Sequence, residues 1–163
     1  MKRLLPLLIA TTLAACAQMP HHRHAAEQAS SESQQTMKPT HTVNSKYSFD
    51  DTVNRLESTM RAKGMTIFTI IDHQAAARKN GLQMQPAKVI IFGAPKAGTP
   101  LMIKDPEFAL RLPMRVLITE TDGVVKVVYN DTRAFIGGSN IQFSDVENSL
   151  ANAEKLILHT VTE

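Results

Sequence analysis

From Ala17 to Thr42 the chain carries no Leu, Ile, Val, Phe, Tyr or Trp. A segment without these side chains cannot bury the apolar surface that offsets chain entropy, so it has no core of its own. It is rich in Gln, Ser, Ala, His and Thr and contains Pro20 and Pro39. This break confines any packed core to residues 43–163. Residues 16–42 read as a disordered tether, which as a flexible coil spans roughly 30 Å root-mean-square. The remainder is large enough for one core, since domains of about 100–150 residues are the common size.

Upstream of the break lie a positive Lys2-Arg3, the apolar run Leu4-Leu5-Pro6-Leu7-Leu8-Ile9 and a small-residue stretch. That order reads as a secretory signal peptide over residues 1–15. The run is shorter than the roughly 20 residues needed to span a bilayer. Leu13-Ala14-Ala15-Cys16 resembles the lipobox of bacterial lipoproteins. The resemblance implies cleavage before Cys16 and acylation of that cysteine, hence anchoring to a membrane. Cys16 is the only cysteine, so no disulfide forms within one chain, and lipidation gives the lone thiol a role. Ala17 stands where an Asp would resemble an inner-membrane retention signal. In a double-membraned bacterium the expected location is therefore the outer membrane, facing the periplasm; a single-membraned host leaves the anchor on its one membrane. An ordinary secreted protein cut elsewhere is the alternative.

The formal net charge is +3, and two basic residues, Lys2 and Arg3, belong to the leader. Trp is absent and no run of Lys or Arg stands out. Nucleic-acid binding, which calls for a basic stripe or stacking aromatics, finds no support. His21-His22-Arg23-His24 in the tether can bind zinc, copper or nickel through neutral imidazoles. In a floppy chain it is equally a solvated spacer.

Folding signals begin at Val43, with a short strand over 43–49. Ser48 precedes Asp51 by three residues, as in a capping box, and Val53, Leu56 and Met60 follow at helical spacing. Lys63 and Gly64 suit the stop of a helix over 49–63. The β-branched run Thr66–Ile71 and the run Lys88–Phe92 read as strands. One or two helical turns over 74–80 fit between them, stopped by Gly81. Gly93-Ala94-Pro95-Lys96-Ala97-Gly98-Thr99-Pro100 reads as a loop dense in turn formers. Pro106 suits the first position of a short helix. Strands over 114–119 and 124–129 flank Asp122-Gly123, a hairpin signal. Gly137-Gly138 reads as a loop. Ser144 and Glu147 have capping-box spacing, and Val146, Leu150, Ala153 and Ile157 form the stripe of a long last helix. The expected fold is α+β and two-layered: an antiparallel sheet with the two end helices on one face.

Ile71-Asp72-His73, the run from Ile91 to Met102, Leu112-Pro113 and Tyr129 together resemble the domain-of-unknown-function 302 family. The resemblance covers about 43–136, with the last helix fitting the same fold. It implies a β-α-β4-α fold, similar to one half of the TATA-box-binding protein and often a homodimer, and it implies no established activity. The family usually has Asn after the Phe-Gly pair, where this chain has Ala94. An Asn that binds ligand would make binding weaker here; an Asn that caps a turn would not.

His73 is one of two histidines in 43–163, the other being His159. At a strand end it can act as acid, base or metal ligand, or pin the strand exit through a backbone hydrogen bond. Asp72 points to the opposite side of a continuing strand and makes a poor catalytic partner. Gly93, Gly98, Lys96 and Thr99 can form an amide-lined ligand cradle, or a structural turn at a sheet edge or dimer seam. Gly93 and Gly98 have P-loop separation, but no Lys follows the second Gly. Tyr129 and Arg115 on adjacent strands are expected to line one pocket, with Glu120 and Asp131 as weaker companions; a buried Tyr with a satisfied hydroxyl is the other reading.

No Gly-x-Ser-x-Gly elbow, His-Glu-x-x-His or paired-cysteine site occurs. No cofactor is expected. The leading expectation is a non-enzymatic, membrane-anchored envelope lipoprotein, binding a small ligand or an envelope protein through His73, Gly93, Lys96, Gly98, Thr99 and Tyr129. One alternative is an enzyme with His73 as general base and loop amides stabilising negative charge. Another is a metal or haem binder through His73, Met102 and Tyr129.

Overall fold

A computed structural model describes residues 39–163. The leader, Cys16, the histidines His21, His22 and His24, and nearly all of the tether lie outside the described residues.

Five strands form one antiparallel sheet: β1 (Thr40–Asn44), β2 (Thr66–Asp72), β3 (Ala87–Gly93), β4 (Met114–Thr121) and β5 (Val124–Asn130). Their spatial order is β1-β5-β4-β3-β2. The expected α+β architecture is present. Asp122 and Gly123, both at positive φ, make the two-residue turn joining β4 to β5.

Strand β1 begins three residues earlier than the sequence suggested, so Thr40, His41 and Thr42 belong to the sheet rather than to the tether. Composition could not show this. The segment has no large apolar side chain, and its order comes from pairing with β5, His41 opposite Tyr129 and Val43 opposite Val127.

Helix α1 (Phe49–Ala62) starts as its sequence dictates, with the Ser48 hydroxyl accepting the Asp51 N–H at 3.2 Å. Gly64 follows at φ +74°. Helix α1 and the last helix, α6 (Leu150–Thr162), cover one face of the sheet. Leu56 and Met60 from α1 and Ile157 and Val161 from α6 meet Phe92 and Val127 in a core that excludes water. The alternate strand positions, including Val89, Ile91, Leu117 and Val128, lie on the other face and remain half-exposed.

Between β2 and β3 runs α2 (His73–Lys79), capped by Asp72, whose carboxylate accepts the Ala75 N–H at 2.8 Å. The Gly93–Pro100 segment is mostly not a loop: α3 spans Pro95–Lys104 with Pro100 inside it. An interior proline removes a helical hydrogen bond, yet Leu101 is buried in a second core with Phe108, Ile136, Ile141, Val146 and Leu150. That packing outweighs the local breaker signal. The last helix is also not continuous. Beyond α4 (Thr132–Ile136), a short α5 (Phe143–Val146) precedes a turn and then α6. Its cap pairs Gln142 with Asp145, not Ser144 with Glu147, because the Asp145 carboxylate accepts the Gln142 N–H at 2.7 Å and also holds Lys104.

A 3₁₀ turn over Pro106–Leu110 lies between α3 and β4. Asp105, 7% exposed, accepts the Glu107 N–H at 3.2 Å and the Asn140 N–H at 2.9 Å, tying the two loop regions of the second core together. The Leu112–Pro113 bond is cis.

Candidate functional site

The end of β3 and the start of α3 divide two concavities. One, of about 180 Å³, is lined by Phe68, Pro95, Met102, Leu112 and Pro113, with Gly93, Gly98 and Thr99 completing the wall. The other, of about 230 Å³, takes in Lys63, Met65, Met114 and the start of α6. Gly93, Ala94, Gly98 and Leu112 border both.

Local sequence explains the first cavity. β2 bulges between Ile67 and Thr69, which sets Phe68 off the ladder and leaves it 53% exposed. Its ring edge reaches over Gly93, where an added β-carbon would stand 3.6 Å away. At Gly98 a β-carbon would come within 3.3 Å of Leu112 Cδ1. Glycine there lets α3 lie close against Leu112.

Ala94 occupies the N-cap of α3 and offers no side-chain hydrogen bond. An Asn at this position, the residue the family resemblance leads one to expect, is among the strongest helix N-caps. The cap position lies beside the cavity, so capping and ligand contact are not exclusive at this site.

The sequence-derived candidates divide into separate places. Gly93, Gly98, Thr99 and Met102 line one cavity, whereas Lys96, on the first turn of α3, is exposed and outside its lining. His73 is exposed at the start of α2. Thr66 pairs with Gly93 and Asp72 with Lys88, so His73 and the cavity sit at opposite ends of the sheet, about 20 Å apart by strand rise. Neither His73 nor Tyr129 borders the cavity that Met102 lines. Tyr129 and Arg115 do not share a pocket. Tyr129 pairs with Val116 and is buried on the helix-covered side, and strand alternation sends Arg115 to the other face.

Tyr129 faces a different group of residues. The His41 ring lies 5.4 Å from its ring. Burial, and secondarily the nearby Glu154 carboxylate, push the Tyr129 hydroxyl above its ordinary pKa. His41 was hidden from sequence reasoning by its place in the apolar-poor segment. The signal that could have found it is the alternation of Thr40 and Thr42 with His41 and Val43, a short edge-strand pattern.

Among the described residues no helix is long and apolar enough to cross a membrane. Residues 41–157 match the family model described as "Domain of unknown function DUF302". A solved structure, "Crystal structure of uncharacterized conserved protein DUF302 from Bacillus stearothermophilus", superposes with a TM-score of 0.64 at 16% identity, covering 75% of this chain and 94% of that one. It shows the same fold. A "Fluoride-specific ion channel FluC 1" of Brucella suis biovar 1 is 42% identical over 86 residues, covering 53% of this chain and 34% of the relative. A "Fluoride-specific ion channel FluC 2" of Brucella melitensis biotype 1 matches at 42% over 86 residues, covering 53% of this chain and 32% of the relative. The chain thus spans about a third of the length of these curated relatives.

Proposed function

The chain belongs to the DUF302 family, and on that premise we propose that it is a membrane-anchored envelope lipoprotein whose domain is a non-enzymatic binding module. Its site is the cavity between Phe68 and α3. The observation that carries this reading is the size and lining of that space. At about 180 Å³ it is close to the roughly 150 Å³ of a cavity known to take benzene, and well below the roughly 300–1,000 Å³ of drug- and cofactor-sized sites. Its walls are Phe68, Met102, Leu112 and two prolines. Such a space suits a single ring, a short acyl end or one projecting side chain of an envelope protein.

The enzymatic alternative has less support. A general base gains from an orienting partner, and among the described residues the exposed His73 imidazole has no hydrogen-bonded side chain. The haem alternative asks His73, Met102 and Tyr129 to meet, and they occupy three regions. The homodimer expected from the family has an available surface in the half-exposed sheet face carrying Val89, Leu117 and Val128. Leu117→Lys on that face is expected to turn a dimer into a monomer in sedimentation analysis.

The binding test uses the full chain and ¹⁹F NMR with 4-fluorotoluene as probe. Line broadening is expected in the wild type and lost in Gly98→Leu, which fills the space. Met102→Trp is the second filling variant, should Gly98→Leu not fold. Sodium fluoride in the same tube resonates separately, and it is included because relatives bear a fluoride-channel name. A response to fluoride alone, or to neither probe, overturns the apolar-site reading. The anchoring test is fractionation of cells: Cys16→Ser is expected to move the protein from membrane to soluble fraction and to abolish labelling by radioactive palmitate.

A further inference from the structure

His41 Nε2 lies 2.8 Å from Glu154 Oε1 and 3.1 Å from Asp131 Oδ2, and these three atoms all fall within 4.8 Å of one another. We infer that His41, Asp131 and Glu154 form a binding site for a divalent transition-metal ion such as zinc or manganese, separate from the apolar cavity.

The three residues arrive from distant parts of the chain: the edge strand β1, the cap of α4 and the middle of α6. Each carboxylate is held by its other oxygen. Asp131 Oδ1 accepts the Ala134 N–H at 2.8 Å. Glu154 Oε2 accepts the Thr132 N–H at 2.9 Å and the Thr132 hydroxyl. Outer partners of this kind orient the ligands of metal sites and fix which oxygen faces the ion.

The imidazole supplies an independent observation. His41 Nε2 is shielded from solvent and has no hydrogen-bond partner, although two carboxylate oxygens stand close by. Neither oxygen is placed for a directed N–H bond. A neutral imidazole with its Nε2 lone pair turned to a cation satisfies the atom without that direction. The spacing also fits. Ligands bonded at about 2.0–2.2 Å are separated by about 3.0 Å at the right angles of an octahedral site and by about 3.4 Å in the tetrahedral arrangement usual for zinc; the 2.8 and 3.1 Å separations match the octahedral edge, as for manganese or ferrous iron. One imidazole with two carboxylates is a borderline-hard donor set that suits zinc, manganese or ferrous iron rather than copper(I). The two negative charges balance a divalent ion. The side chains of His41, Asp131 and Glu154 are 41%, 23% and 24% exposed, so the cluster lies near the surface although Nε2 itself is covered.

The test is calorimetric titration of the full chain with zinc chloride and with manganese chloride. The chain carries Cys16→Ser, His21→Ala, His22→Ala and His24→Ala, so that His41, His73 and His159 are the remaining histidines. One equivalent of metal is expected to bind and to raise Tm. His41→Ala and Glu154→Gln are expected to abolish that binding, while His73→Ala retains it. Thr132→Val, which removes only an outer hydroxyl, is expected to weaken affinity by about 10-fold. If His41→Ala fails to fold, Glu154→Gln decides, since its side chain still accepts from Thr132. The proposal is overturned if neither metal binds. It is equally overturned if binding survives both His41→Ala and Glu154→Gln.

Discussion

Glu154 on the last helix accepts the backbone N–H of Thr132 at 2.9 Å through one oxygen and meets His41 Nε2 at 2.8 Å through the other. One carboxylate thereby joins the first strand, the fourth helix and the last helix. Thr132 is 4% exposed, so its donors have no easy recourse to water. Glu154→Ala is expected to lower unfolding stability by roughly 1–3 kcal/mol, the cost of leaving buried donors unmatched. Glu154→Gln, which keeps an acceptor, should lose less. Urea unfolding of the two variants beside wild type measures the difference, and equal losses would place the effect in the charge instead.

Ala94 caps α3 without a side-chain hydrogen bond. Ala94→Asn is expected to stabilise the protein by about 1 kcal/mol through a new cap, seen as a higher urea midpoint at unchanged slope. Added binding of 4-fluorotoluene in the same variant would show that the family's usual residue serves the cavity as well. A destabilised Ala94→Asn would mean that the cavity wall has no room for the side chain.

Asp145 is held below the ordinary carboxylate value of 3.8, first by its hydrogen bond with Lys104 and then by the Gln142 N–H. A group whose folded pKa is lowered adds stability above its unfolded value and loses it as pH falls through the folded one. The stability gap between wild type and Asp145→Asn is therefore expected to be present at pH 7 and to close as pH falls from about 4 toward the folded value. Thermal unfolding of both proteins at pH 7, 4 and 3 follows that gap; a gap that widens toward acid would contradict the assignment.

Much of the sheet and helix α1 were legible because their signals are local. Thr66–Ile71 is β-branched and aromatic, Ser48 and Asp51 are one turn apart, and Asp122-Gly123 needs only the positive φ that its residues tolerate. Part of the site was legible for the same reason, since Gly93, Gly98 and Thr99 lie in one short run that brings them to one cavity. His73 was not separable from that run by type alone. Only the strand register, with Gly93 opposite Thr66 and Lys88 opposite Asp72, puts it at the far end.

What the sequence determined by itself is where a core can exist, which runs form strands, and which turns close without strain. These follow from side-chain chemistry read over a few neighbours. Tertiary structure alone decided that α3 runs through Pro100, because the burial of Leu101 against Phe108 and Ile136 outweighs a local breaker. It also decided that Thr40–Thr42 is strand, because β5 supplies the hydrogen bonds that composition cannot. And it gathered His41, Asp131 and Glu154, about ninety residues and more apart for His41, into one cluster. No periodicity records a contact at that separation; it exists only after the sheet has formed and α6 has packed across it.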